Sequence, residues 1–345
     1  MRQSSFLIQQ KIKKLAIDIV ENNDLSAIKK LLSIFYDLAD NKEFKPIIKS
    51  AHSSFLEYYG YKMLQNIDKP EESEDTRTLE ELLNDLNSLI GLKNVKERVN
   101  NLIAYQKVQQ LRKENNLKTS INTLHLAFLG NPGTGKTTVA RIIGRIYKQI
   151  GLLSRGHFVE VSRTDLIAGY QGQTALKVKG IIEKAKGGIL FIDEAYSITE
   201  NDQSDSYGRE CLTELTKALE DYRDNLVVIV AGYTEPMEKF FESNLGLKSR
   251  FNTFIEFDDY NASELEDIFN FICKQNEYVL NADAKEKMKE ILIKSVENKS
   301  GHFANGRLVR NMYDDLVMNH ARRVSTIESP SKDDLMIITC DDLCK

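Results

Sequence analysis

One nine-residue stretch restricts this chain more than any other: Gly130-Asn131-Pro132-Gly133-Thr134-Gly135-Lys136-Thr137-Thr138. It follows the apolar run Leu126-Ala127-Phe128-Leu129 and opens into Val139-Ala140-Arg141-Ile142-Ile143. Strand, glycine-rich turn and helix in that order are the context in which this spacing reads as a phosphate-binding loop. The glycines let successive backbone N–H groups curl around an anion, and the helix adds the positive end of its dipole. Asn131 to Thr138 then form the cradle of a nucleoside triphosphate, with Lys136 on the β- and γ-phosphates and the Thr137 hydroxyl on Mg²⁺.

A second stretch gives the loop a chemistry. Gly187-Gly188-Ile189-Leu190-Phe191-Ile192-Asp193-Glu194 is an apolar strand that ends in two carboxylates. Beside a phosphate loop, Asp193 can hold the Mg²⁺ hydration shell and Glu194 can orient and polarise the attacking water. No acceptor site for phosphoryl transfer stands out, so the pair specifies hydrolysis.

The rest of the chain places these two stretches in a fold. From Leu124 to Phe257 short apolar runs alternate with helical ones, the pattern of a parallel sheet covered on both faces. The expected strands are 124–129, 157–162, 188–193, 226–231 and 254–257. After Asp258-Asp259-Tyr260 the pattern becomes purely helical (264–278, 284–296, 306–324), apart from a short apolar stretch at Leu335–Thr339. Leu7 to about Gln65 also has apolar residues near a helical period. The acidic, proline-bearing segment Asp68–Thr76 separates that part from the remainder. The expected domains are therefore residues 1–70, a helical domain suited to an adaptor or other partner; 71–259, a large α/β domain; and 260–345, a small helical lid.

Several classes are disfavoured. No apolar run approaches the ~20 residues needed to cross a bilayer, and the start of the chain lacks a secretory pattern, which points to the cytosol. A formal net charge of −4 offers no global attraction to nucleic acid. Cys211, Cys273, Cys340 and Cys344 are scattered and lack metal-ligand spacing, so they read as free thiols.

The motifs together resemble the AAA+ ATPases, and among them the group containing stage V sporulation protein K and red-type Rubisco activase (CbxX/CfqX-like). The likeness is carried by Leu124-His125-Leu126, Arg155-Gly156-His157, Gly188 to Tyr196, Ala231-Gly232-Tyr233 and Phe303-Ala304-Asn305-Gly306-Arg307. It covers roughly Leu79 to Val324. The resemblance implies a P-loop NTPase fold with a lid, ATP and Mg²⁺ as ligands, and a homo-oligomeric, usually hexameric ring. It implies that Ile90 and Gly91 line the adenine pocket. Arg250, in Ser249-Arg250-Phe251, would be an arginine finger reaching a neighbouring subunit's γ-phosphate. Arg307 would be the lid's second sensor, with Arg310 one helical step away as the competing choice. Either Tyr233 or Thr234 would be the first sensor. Tyr170, with Gln171 and Gly172, would form a pore loop pressing on an extended polypeptide, and the acidic loop Glu200–Ser206 a second one. The leading expectation is a protein-remodelling motor acting on a protein client. An ATP-switched scaffold that threads nothing is the second reading, and nucleic-acid translocation the third. The client cannot be read from the sequence.

Overall fold

The computed structural model describes residues 76–119, 123–169, 173–199, 206–299, 301 and 303–343, with Lys14, Leu15, Lys30, Leu31 and Ile34 before them. The chain separates into two compact units, residues 1–76 and 77–345. The helical expectations for residues 1–70, the loop Tyr170-Gln171-Gly172 and the segment 200–205 lie outside the described residues, apart from those five positions.

Five parallel strands form the central sheet of the second unit: β1 Leu126–Gly130, β2 Phe158–Val161, β3 Ile189–Ile192, β4 Val227–Gly232 and β5 Thr253–Phe257. Their spatial order is β2-β3-β4-β1-β5. β1 therefore lies between β4 and β5, with Leu129 opposite Gly232 and Gly130 opposite Phe257. This order explains the continuous apolar runs, since successive side chains feed two different cores. Leu126, Phe128, Phe191 and Ile229 point into one; Ala127, Leu129, Ile192 and Val230 point into the other.

The first core is covered by α1 Leu79–Ser88, α2 Lys93–Glu114 and α3 Lys136–Gln149. The second is covered by α5 Gln173–Ala185, α6 Ser206–Asp221 and α7 Thr234–Glu242, with the short α4 Arg163–Leu166 between β2 and α5 and α8 Leu245–Arg250 before β5. α1 starts where Thr78 and Glu81 cap each other's backbone amides, an arrangement that contributes about 1 kcal/mol.

The lid contains α9 Ala262–Gln275, α10 Ala282–Glu297 and α11 Gly306–Val324. It is not purely helical: β6 Val279–Leu280 pairs in parallel with β7 Ile337–Ile338, which follows α12 Lys332–Met336. Two-residue strands leave too little periodicity to be legible in a sequence. Arg323 pairs with the buried Asp342 carboxylate at 2.8 Å and ties the end of the chain to α11. Leu265, Phe269, Met288, Leu292 and Val309 belong to the same apolar cluster as Leu92, Val95 and Phe257. Lid and sheet thus share one core. Among the described residues, no helix is long and apolar enough to cross a membrane, and Cys211 and Cys273 are buried free thiols.

Candidate functional site: a phosphate loop beneath the lid

The glycine-rich loop sits at the carboxyl end of β1, an interior strand between β4 and β5, the end at which open parallel sheets place their ligands. Gly133 and Gly135 take left-handed backbone conformations (φ +73° and +93°), and Gly135 caps α3. Thr134 is fully buried, its hydroxyl donating to the Asn131 carbonyl at 2.8 Å. Lys136 Nζ donates to the carbonyls of Gly130 and Asn131 at 2.8 and 2.7 Å. An ammonium has three donors, so the third can reach a phosphate oxygen.

Burial is the main influence on Lys136 and lowers its pKa to about 8; Asp193, Glu194 and Asp259 act against this, and Arg307 adds to it. Five charged groups distant in sequence are thereby brought to one place. Arg307, the second residue of α11, is a lid arginine whose charge bears on Lys136. Two cations that feel each other's charge beside a glycine-rich loop at a helix N-terminus suit the binding of an anion.

Asp193 is half-buried just past β3, and its amide donates to Val161 O at 3.0 Å, extending the strand pairing by one residue. Glu194 is exposed and held at φ +48°. That conformation is uncommon for a residue with a side chain and recurs at active sites. Thr137 lies half-buried in the first turn of α3. Its hydroxyl and the Asp193 carboxylate are hard oxygen donors of the type Mg²⁺ takes, and the described residues contain no cluster of three or more His, Cys, Asp or Glu to hold a metal alone. Such a donor set fits a cation that also binds phosphate and water.

Ile90 and Gly91 precede the turn into α2, against the start of the lid. A Cβ on Gly91 would lie 2.6 Å from Glu264 Oε1 and 3.0 Å from Tyr260. Beside it opens a cavity of about 120 Å³ lined by Leu92, Asn94, Asp258, Tyr260 and Glu264. Asp259, Tyr260 and Asn305 are the residues that the sequence reading did not assign. Asp259 accepts from Asn131 Nδ2 at 2.9 Å and Asn305 Nδ2 at 2.8 Å. Tyr260 Oη donates to Thr134 O at 3.2 Å. The first two partners lie 128 and 46 residues away, so no local pattern marks these contacts.

Arg250 lies elsewhere. It ends α8, three residues before β5 begins, whereas the phosphate loop follows the far end of the neighbouring parallel strand β1. The strands advance about 3.3 Å per residue, so the two are separated by roughly 15 Å or more. Arg250 donates to Gly246 O at 2.9 Å and lies 3.5 Å from the Glu220 carboxylate. Its charge bears on His125, the residue before β1, and its neighbour Phe251 packs on the His125 ring at 5.8 Å. Tyr233 packs on Tyr196 at 5.9 Å, while Thr234 is exposed at the start of α7; the choice of first sensor stays open between them.

The described segments on either side of residues 170–172 are pinned by hydrogen bonds. Lys177 Nζ donates to Thr164 O and Ile167 O at 2.7 and 3.0 Å, and the Ala168 amide to the Thr174 hydroxyl at 3.2 Å. Arg163, on α4, donates to Ser197 O in the turn that follows Asp193 and Glu194.

A parallel sheet in this order, a phosphate loop, an acidic strand end and a lid arginine define a nucleotide-hydrolysing P-loop protein. The family comparison is specific. Residues 126–259 match the ATPase family associated with various cellular activities (AAA), and residues 261–345 match the AAA lid domain. The chain belongs to the AAA ATPases: it binds ATP and hydrolyses it. It is 39% identical to stage V sporulation protein K of Bacillus subtilis over 77% of this chain and 82% of that one. It is 41% identical to the chromosomal protein CbxX of Cupriavidus necator, over 74% and 80%. It is 38% identical to the chloroplastic ribulose bisphosphate carboxylase/oxygenase activase of Cyanidioschyzon merolae, over 77% and 92%. The crystal structure of the FIGL-1 AAA domain shares the fold, with a TM-score of 0.53 at 19% identity over 84% of this chain and 88% of that one.

Proposed function

We propose that this chain is the subunit of a ring, a hexamer by kinship, that converts ATP hydrolysis into mechanical remodelling of a protein client. The observation that carries the reading is the position of Arg250, at the opposite end of the sheet from the phosphate loop of its own chain. An arginine so placed can complete a catalytic pocket only in another copy, and such a finger is worth about 10³–10⁵ in rate where it has been measured.

In this reading the amides of Asn131 to Thr138 cradle the phosphates, Ile90 and Gly91 border the adenine, and Lys136 and Arg307 bind phosphate oxygens. Thr137 and Asp193 hold Mg²⁺, which when bound neutralises charge on the phosphate oxygens. Glu194 accepts a hydrogen bond from the attacking water and draws its proton. Arg250 of a neighbouring copy stabilises the charge that spreads over the transferred phosphoryl group. The Arg163–Ser197 hydrogen bond joins the segment after Glu194 to the pinned base of the Tyr170-Gln171-Gly172 loop, which suits transmission from pocket to pore. An aromatic tip grips polypeptide with little regard to sequence. Residues 1–70, outside the span of the family models, are the adaptor or client-docking domain, followed by the ATPase domain (71–259) and the lid (260–345).

The test couples assembly to work. Glu194→Gln with ATP should accumulate as a nucleotide-loaded oligomer by light scattering. An unstructured polypeptide such as casein should stimulate the wild-type ATPase but not that of Tyr170→Ala. An Glu194→Gln protein that turns over normally contradicts the assigned water-activating role. A Tyr170→Ala protein stimulated as strongly as wild type contradicts threading and favours an ATP-switched scaffold.

A further inference from the structure

Asn305 is completely buried at the threshold of α11, with φ +48° and ψ −123°. Its side chain is bonded on both sides. Oδ1 accepts from the Tyr260 amide at 2.9 Å, and Nδ2 donates to Asp259 Oδ1 at 2.8 Å and Phe303 O at 3.0 Å, with Pro132 O at 3.4 Å. Asp259 Oδ1 also accepts from Asn131 Nδ2 at 2.9 Å. One residue further on, the Gly306 amide donates to Gly133 O at 3.0 Å. Three segments meet in this network: the phosphate loop (Asn131 to Gly133), the hinge (Asp259, Tyr260) and the first turn of the lid helix. Arg307 is the next residue, and its charge is felt at Lys136.

We propose that Asn305 and Asp259 are positioning residues of the ATPase: they lock the phosphate loop to the start of α11, so that Arg307 is held against the bound phosphates. The proposal rests on the reading that Arg307 meets the nucleotide. Asn305 suits the task because its amide has both donors and acceptors; its backbone (φ +48°, ψ −123°) lies outside the left-handed helical region that asparagine favours, so the surrounding hydrogen bonds must hold it there. The Asp259 carboxylate draws two amides from different segments onto one oxygen, and bonds to a charged acceptor are the stronger kind. The lid then moves as one piece with the loop instead of swinging free about residue 260.

The test is a double-mutant cycle on the affinity of the full-length chain for a fluorescent ADP. Arg307→Ala should weaken binding by about tenfold or more, the loss of one charge-assisted hydrogen bond. Asn305→Gly removes the network while keeping the backbone permissive, and should weaken binding by a similar factor. The double variant should bind within about twofold of the weaker single variant, because both changes remove the same interaction. Effects that multiply, or an Asn305→Gly protein that binds as wild type, overturn the proposal. If Arg307→Ala alone binds as wild type, the reading of Arg307 is wrong and the proposal falls with it. Should Asn305→Gly not fold, the near-isosteric Asp259→Asn enters the same cycle, with non-additivity with Arg307→Ala again expected and multiplying effects again fatal.

Discussion

Gly133→Ala tests the joint between loop and lid with the smallest possible change. An added Cβ would lie 2.4 Å from Ala304 O, 2.7 Å from Arg307 N and 3.0 Å from Gly306 N, all backbone atoms. None of these can rotate away as a side-chain tip could. At φ +73° a side chain adds about 1–2 kcal/mol of backbone strain. Losing the hydrogen bond from the Gly306 amide adds about 1 kcal/mol, and overpacking adds about 1–3 kcal/mol. With the lid held in place these together come to about 3–6 kcal/mol, which lowers the melting temperature by roughly 10 °C or more in a unit of this size. If the lid lifts instead, melting falls less and ADP affinity falls, because Arg307 departs with α11. Differential scanning fluorimetry and fluorescent-ADP titration read the two outcomes together. Gly180→Ala in α5 is the control: its Cβ would meet nothing within 4 Å, and helix propensity should leave it neutral or up to ~1 kcal/mol more stable. A Gly133→Ala protein unchanged in both melting and binding refutes the described contact.

Lys136 titrates from about 8 in the free protein, and bound phosphates raise that value. Nucleotide binding therefore takes up protons above neutrality, and affinity should fall about tenfold between roughly pH 7 and pH 9; calorimetry in buffers of different ionisation enthalpy measures the uptake, and a flat profile contradicts it. His125 is held down to about 4, chiefly by burial, with Nε2 facing Leu219 O at 3.0 Å and Nδ1 accepting from the Val228 amide at 3.1 Å. Its folded pKa lies below its unfolded one, so stability falls with pH from about 6.5 towards 4, by about 3 kcal/mol at most. Denaturant titrations should show His125→Gln with a shallower acid slope than wild type; equal slopes would assign the acid sensitivity elsewhere. Asp342 is held below the usual carboxylate range by its bonds to Arg323 and the Thr339 amide, which outweigh its burial. Asp342→Ala should destabilise the lid by about 1–3 kcal/mol, the loss of its charge-assisted hydrogen bonds to the partly exposed Arg323 and to the Thr339 amide; a melting temperature within a degree of wild type would contradict this.

The chemistry was legible wherever residues adjacent in sequence act together. Gly130 to Thr138 and Asp193-Glu194 announce themselves because a strand end delivers neighbouring side chains to one spot. The five strands were legible for a related reason: in a sheet covered on both faces, apolar runs such as Leu126–Leu129 and Ile189–Ile192 are unbroken. Long-range assembly was not. Asp258-Asp259-Tyr260 read only as a boundary, yet Asp259 joins Asn131 to Asn305 across 128 and 46 residues. Asn305 stood in a recognisable motif without a role, because its bonds go to backbone and carboxylate groups that only folding brings near. The two-residue strands β6 and β7 are too short for any periodic signal; within the lid only the apolar stretch Leu335–Thr339, which contains β7, stood out from the helical pattern.

The most direct test of a pocket divided between copies is a mixing experiment. Lys136→Ala removes the phosphate-binding lysine and Arg250→Ala the finger, and each protein alone should be nearly inactive. Mixed in equal amounts, they form some interfaces in which an intact Lys136 meets an intact Arg250 from its neighbour, and ATPase activity should reappear. A mixture as silent as its components, or a strictly monomeric wild-type protein hydrolysing ATP at full rate, would contradict the account.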